Sequence, residues 1–320
     1  MNDNLLREIE DHGRLVLTLQ RQGHLRTPAA IRAFRAVRRC DFVPRQGGAL
    51  SPPWGLLAAV ADVPLRLGQA HLSAPYLYAL ALENLGLRRG GRFLNIGAGT
   101  GYFSAVVHTM LGNESTHHAV ELDERAVQLA RQNILALEKK RQVPIHIHFA
   151  QGDGLAIQPG EPYDSIYVGA GSKLDETFKA AVFPLLRCPG GVLVAPLDGR
   201  LKQITRLSDT QYKISELARV QYAPLRRPRG RRRPVYLPAR VWSPEAHRGF
   251  PAHFRRFVLL TLAAAARAPR ERSPPAGAAA GAAAGRLPAG VWLRVVAYLH
   301  PADVPRDLGP PPPGWGSGGR

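Results

Sequence analysis

Apolar positions recur every three to four residues at the start of the chain. In "LREIEDHGRLVLTLQRQGHL" and again in "RTPAAIRAFRAVRRCDFVP", this spacing predicts two short helices within residues 1–45. Thr27 reads as the N-cap of the second, with Pro28 at the first helical position, where its missing N–H costs nothing. Residues 46–68 are rich in Gly, Pro and Ala and predict irregular chain. A further helix is predicted in "HLSAPYLYALALENLGL", opened by Ser73 and Pro75, with Tyr76, Leu77, Leu80, Ala81 and Asn84 one turn apart. Short apolar strands then alternate with helices. The strands are "RFLNIG", "THHAVEL", "IHIHFAQGDG", "YDSIYVGAG" and "GGVLVAPL"; the helices are "YFSAVVHTML", "DERAVQLARQNILALEKK" and "DETFKAAVFPLL". Such alternation predicts a mainly parallel sheet covered on both faces. The last stretch, "LKQITRLSDTQYKISELARVQYAPL", reads as an antiparallel pair at the sheet edge, and the domain is expected to end near Leu225.

Beyond Leu225 the composition changes. Residues 226–320 hold 17 arginines, no lysine, 4 acids and 15 of the 28 prolines. Most of the formal net charge of +19 therefore belongs to this extension, which carries +13 and leaves +6 for the first 225 residues. Its "RRPRGRRRP" run reads as a solvated linker, because no interleaved aromatics or reading helix accompany it, and "SPPAGAAAGAAAG" is low complexity. No apolar run reaches the roughly 18 residues of a membrane span. The polar, acidic start "MNDNLLREIE" does not read as a signal peptide. Cys40 and Cys188, far apart and without metal-ligand spacing, are expected to be buried reduced thiols in a cytosolic or nuclear protein. His146 and His148 alternate on one strand face at a spacing that can hold a metal. No Cys or carboxylate is poised with them, so they are expected to be solvated, and His117 and His118 to lie at a strand edge.

The candidate chemistry lies in "FLNIGAGTGY". Three glycines in five residues, Gly97, Gly99 and Gly101, with Ala98 between the first two, follow a strand and open a helix, where an open α/β sheet binds ligands. A dinucleotide fingerprint would need glycine at position 102, which is Tyr102, and no Gly-Lys-Ser/Thr follows for a phosphate loop. Glu121 ends the next strand, 24 residues after Gly97, where an acid can accept both ribose hydroxyls. The "GDG" at 152–154 sets Asp153 and Gly154 where the carboxylate could accept from an adenine amine. Nucleoside recognition without a phosphate site points to S-adenosylmethionine.

Taken together, "HLSAP", "FLNIGAGTGY", "VELD", "QGDG", "PYDSIYVGAG" and "PGGVLVAPL" resemble the protein-L-isoaspartate O-methyltransferases, as does the N-terminal "LQRQGHLRTPAAIRAFRAVRRCDFVP". The resemblance spans roughly residues 10–225 and keeps motif order. It is closer to the branch called isoaspartate methyltransferase domain-containing proteins, through "HLSAP" and the long extension. It implies a class I S-adenosylmethionine-dependent methyltransferase fold, Rossmann-like and mainly parallel with a reversed edge strand. A helical segment over 1–68 would precede a cofactor-binding core over 69–225, and 226–320 would form the extension. The implied reaction carries the cofactor's methyl to the α-carboxylate of L-isoaspartyl residues in proteins or peptides, which permits their repair. The implied acceptor residue is Ser73 of "SAP", whose alternative role is helix N-cap. Family members typically read Gln-Thr-Ile-Ser before Ala-Pro. Here Ala70-His71-Leu72-Ser73 stands instead, so His71 either contacts the acidic acceptor or fills the pocket mouth.

The same branch resemblance relates the extension to a SOCS box, with segments near 250–266 and 287–299 where elongin B/C and a cullin would dock. A second function follows from that: a cofactor-binding adaptor of a ubiquitin ligase in which no methyl moves. A nucleic-acid methyltransferase is disfavoured, because "SIYVGAG" stands where amino-methylating enzymes carry an "NPPY"-type motif. No metal or membrane partner is expected, and the default assembly is a monomer.

Overall fold

A computed structural model describes residues 3–43, 45–46, 49–50, 60–68, 70–158, 160–226, 228, 233–238, 255–256 and 258–259. The chain divides into two units, Met1–Ala239 and Arg240–Arg320. Of the second, only Arg255, Arg256, Val258 and Leu259 are described, all helical, so the segments near 250–266 and 287–299 otherwise lie outside the described residues.

In the first unit, helices α1 (Asp3–Arg21) and α2 (Pro28–Ala36) precede two short hairpins, β1–β2 (Arg45–Gln46, Ala49–Leu50) and β3–β4 (Leu65–Leu67, Ala70–Leu72). Thr27 caps α2, its hydroxyl accepting from the Ala30 amide at 3.3 Å. Helix α3 (Pro75–Asn84) leads into the sheet. The sheet elements are β5 (Arg92–Ile96), α4 (Tyr102–Leu111), β6 (Thr116–Glu121), α5 (Glu124–Arg141), β7 (His148–Gln151), β8 (Ser165–Val168), α6 (Glu176–Val182), β9 (Val192–Leu197), β10 (Arg200–Arg206) and β11 (Tyr212–Arg219). The spatial order is β11-β10-β9-β8-β5-β6-β7. Strands β5 to β9 are parallel, and β10 is antiparallel to both of its neighbours. The reversed strand therefore sits one place in from the edge. Connectivity runs outward from β5 to β7 and then returns to β8, so strand order switches beside β5, where a crevice opens at the carboxyl ends.

Period-two alternation along the strands feeds two cores. Phe93, Ala119, Tyr167 and Val194 face the layer of α1 to α5, while Leu94, Val120, Ile166 and Leu193 face Phe178 and Val182 of α6. The chain does not leave this unit at Leu225. The Gln158 amide donates to the Val235 carbonyl and the Val235 amide to the Ala156 carbonyl, each at 2.9 Å, which returns residues 233–238 to the loop after β7. No described helix is long and apolar enough to cross a membrane.

Three of the four histidines overturn the expectation of solvated positions, while His146 is half-buried and precedes β7. His117 and His118 are fully buried, because β6 lies between β5 and β7, and His148 is buried with them. His118 Nδ1 meets the Tyr163 hydroxyl at 2.6 Å, whereas neither ring nitrogen of His117 has a hydrogen-bond partner among the described residues. Among the described residues no group of three or more candidate ligands could hold a metal. Cys40 is buried as expected, but Cys188 is exposed.

Burial, and then neighbouring positive charge, holds the pKa values of His117 and His118 well below the ordinary 6.5 and pushes His108 down to about 4. These rings fold neutral, and the unfolded chain binds the extra protons as pH falls below 6.5. Their contribution is complete above that pH and is lost progressively toward pH 4. A His117→Phe variant is expected to lose about 2 kcal/mol less stability than the parent between about pH 7.5 and pH 5 in urea titrations. Parallel pH profiles would refute this.

Candidate active site

The crevice at the switch point holds a cavity of about 220 Å3. Its lining includes Gly97, Ala98, Gly99, Glu121 and Gly154, all residues expected to hold a cofactor. The amides of Gly97 and Ala98 donate to the Val120 carbonyl at 2.8 and 3.2 Å, which folds the loop over the end of β6. Glu121 then grips it. One carboxylate oxygen accepts the Gly99 amide at 2.9 Å, and the other accepts the Leu122 and Asp123 amides at 2.8 and 3.2 Å. The oxygen that accepts the Gly99 amide keeps a further lone pair for a ligand hydroxyl, while the other is filled by its two amides.

Gly99 is required twice over. Its φ is +54°, and a Cβ there would lie 2.9 Å from the backbone carbonyl oxygen of His71. On the far wall, Gly169 approaches as closely: a Cβ would sit 2.7 Å from the Gly97 carbonyl. The loops after β5 and β8 thus form a cradle of bare backbone. Asn95, another lining residue, donates to Ser104 at 2.9 Å, and its buried Oδ1 has no partner among the described residues, a spare acceptor at the cradle. Bare backbone, a strand-end carboxylate and a spare amide oxygen fit an adenosine-bearing amino acid.

Two expected cofactor residues stand behind the cavity instead of lining it. Gly101, at φ +83°, turns the chain into α4 and packs against Ala130, 3.2 Å from where its Cβ would be. Asp153 is buried and caps its own loop, Oδ1 accepting the Leu155 amide at 2.9 Å, while Gly152 and Gly154 on either side reach the cavity.

Another part of the lining is built around Ser73, which borders the cavity with His71. The N-cap role is not the one Ser73 plays. Helix α3 begins at Pro75 after Ala74, and the Tyr76 amide is satisfied by Asp62 Oδ1 at 2.9 Å. The Ser73 hydroxyl makes no cap bond and lies near the phenols of Tyr78 and Tyr222 instead. Its backbone is held from both sides, the amide donating to the Tyr78 hydroxyl at 3.0 Å and the carbonyl accepting from Arg39 at 3.3 Å. Arg39 is fully buried and also donates to the carbonyls of Ala61 and Val63 at 3.1 and 2.7 Å, fastening the segment before β3 beneath the Ser73 corner. His71 is exposed on β4 at the cavity mouth, and the neighbouring Gln69 lies outside the described residues.

An aromatic wall closes the floor. Tyr78 stacks on Phe103 at 5.1 Å, Phe103 meets Tyr167 at 4.4 Å, and the Tyr167 and Tyr222 hydroxyls are 3.3 Å apart. Burial raises the pKa of all three phenols, so they stay protonated donors at neutral pH. Sequence reading missed Arg39, Asn95 and the tyrosines, since each reaches the site from a separate element and only an apolar pattern marks Tyr78 and Tyr167 locally.

A family model described as protein-L-isoaspartate(D-aspartate) O-methyltransferase matches residues 10–230. A protein-L-isoaspartate O-methyltransferase 1 of Rhodopseudomonas palustris is 33% identical over 211 residues, covering 63% of this chain and 77% of its own. A protein-L-isoaspartate O-methyltransferase of Methanothermobacter thermautotrophicus is 29% identical over 225 residues, covering 68% and 95%. A Plasmodium falciparum structure described under the same enzyme name, in complex with S-adenosyl-L-homocysteine, superposes with a TM-score of 0.54 at 21% identity, covering 67% of this chain and 98% of that one; it supports the fold. A second structure titled protein-L-isoaspartate O-methyltransferase gives the same TM-score at 25% identity, covering 67% and 65%. With two thirds of its residues matched in motif order on the expected fold, the chain belongs to the protein-L-isoaspartate (D-aspartate) O-methyltransferase family.

Proposed function

We propose that the protein methylates the α-carboxylate of L-isoaspartyl residues in damaged proteins or peptides, using S-adenosylmethionine. The observation that carries this reading is one cavity shared by the glycine cradle with Glu121 and the Ser73 corner. Bound S-adenosylmethionine supplies a methyl group already activated as an electrophile on a sulfonium. Gly97, Ala98, Gly99, Glu121 and Gly154 hold the nucleoside, and Gly101 and Asp153 brace their loops from behind. A carboxylate is ionised at pH 7 and needs no base, so the task of the site is alignment and exclusion of water. Tyr78, Phe103 and Tyr167 exclude water, while Ser73, its backbone held by Tyr78 and Arg39, orients the acceptor. His71, in place of the usual threonine, stands at the mouth of the acceptor side.

The domain layout belongs to the same proposal: a methyltransferase unit reaching residues 233–238, followed by the arginine- and proline-rich extension, in a cytosolic or nuclear monomer. The elongin B/C and cullin adaptor reading has the SOCS-box resemblance of the extension as its only support, and those segments fall outside the described residues apart from four.

Labelled S-adenosylmethionine with an isoaspartyl peptide is expected to give base-labile methyl esters. Ser73→Ala is expected to lower kcat/KM about 10- to 100-fold with cofactor affinity unchanged. Binding of the cofactor by the parent protein with no base-labile label would overturn the proposal.

A further inference from the structure

We infer that Val235 is a positioning residue for the cofactor site: it clamps the loop after β7, so that ligand affinity depends on a segment beyond the residues matched to the family. The inference rests on the reading above, in which Gly154 of that loop helps to hold the nucleoside. Residues 234–238 read Pro-Val-Tyr-Leu-Pro, and burial alternates along them. Val235 is buried, Tyr236 is 72% exposed, and Leu237 is half-buried against the same core as Val235.

Val235 holds the loop in two ways. Its backbone brackets Ile157, the amide donating to the Ala156 carbonyl and the carbonyl accepting the Gln158 amide, each at 2.9 Å. Its side chain covers Gly152. A Cβ on Gly152 would run into Val235 Cγ2, and one on Gly154 would run into Ile96 Cγ2, so the loop is fitted without slack between this segment and β5. Within the loop, Asp153 accepts the Leu155 amide on Oδ1 and the Ala156 amide on its carbonyl, both at 2.9 Å. The Gly152 amide joins the loop to β6 through the Glu121 carbonyl, also at 2.9 Å. Gly152, Gly154 and Glu121 all border the cavity, so a shift of Gly152 disturbs the pocket wall together with the strand end that carries the acid. Dense packing resists such a shift. Removing the valine methyls leaves a void into which the loop can move.

Calorimetry of the full chain with S-adenosylhomocysteine and with adenosine tests the clamp. Val235→Ala is expected to weaken both ligands about tenfold. Gly152→Ala, which drives a Cβ into the valine, is expected to weaken them at least as much. The double variant Gly152→Ala/Val235→Ala is expected to return to within about threefold of the parent. The added Cβ then takes the place of the lost Cγ2, 3.6 Å from the Cβ of residue 235. Tyr236→Ala should bind like the parent. Val182→Ala, in the same core but on α6, should lower the melting temperature and leave both affinities unchanged. Single variants at 152 and 235 that bind like the parent, or a double variant weaker than both, would overturn the inference. An equal loss of affinity in Val182→Ala would reduce Val235 to a contributor to general stability and overturn it as well. If the affinities move as expected while the parent forms no ester, the clamp stands and the methyl-transfer reading falls. A parent that binds neither ligand sinks both.

Discussion

A Gly99→Val variant is expected to lose methyl transfer by at least about 100-fold and to bind S-adenosylhomocysteine too weakly for ordinary calorimetry. A Cβ at this position lies 2.9 Å from the His71 carbonyl oxygen, a backbone atom of β4 that no rotamer change can move aside. The φ of +54° adds a conformational penalty that is largest for a β-branched side chain. Relief requires β4 and the loop after β5 to part. That movement separates Ser73, two residues beyond His71, from the cradle, and it draws the Gly99 amide off Glu121. Gly99 is thus the joint between the two halves of the reaction, where misplacement by an ångström is costly. Gly99→Ala should be less severe. A valine variant with parent-like kcat and affinity would mean that the loops move independently.

Glu121→Gln is expected to weaken S-adenosylhomocysteine about 100-fold, with a near-normal melting temperature. A hydrogen bond to a charged group contributes about 1.5–3 kcal/mol, and one carboxylate oxygen has a lone pair left for a ribose hydroxyl. Each 1.4 kcal/mol is tenfold in affinity, so the upper value for that bond reaches two decades. The substitution also harms the empty site. The carboxylate accepts the Gly99 amide on one oxygen and the Leu122 and Asp123 amides on the other. A glutamine must turn its NH2 toward one of those donors, which leaves an amide unsatisfied and the loop loosened. Calorimetry with S-adenosylhomocysteine and with adenosine checks both parts, since both ligands carry the ribose. Affinity within threefold of the parent for both would remove Glu121 from the nucleoside site.

Much of the fold is legible in local pattern. The helices over "YFSAVVHTML" and "DERAVQLARQNILALEKK" and the cap at Thr27 before α2 follow from spacing and cap chemistry within a few residues. So does Glu121 at the end of its strand. Misreadings arise where one residue type serves two environments. The paired histidines of "THHAVEL" look like polar edge positions, yet β6 has a strand on each side, and both rings are buried. Ser73 looks like an N-cap because it stands two residues before Pro75, but Asp62, eleven residues earlier in the chain, supplies that helix's acceptor and the serine hydroxyl makes no cap bond.

The sequence by itself determined the alternation of strands and helices, the glycine turn with its strand-end acid, and the family motifs, because each depends on neighbours along the chain. Tertiary structure alone decided which polar groups the cavity gathers. Arg39 lies 34 residues from Ser73, and Tyr222 lies 55 from Tyr167. Contacts at such separation leave no periodic trace in the sequence; they exist only once the sheet order has brought β8, the Ser73 corner and the segment after β11 to one end of the fold.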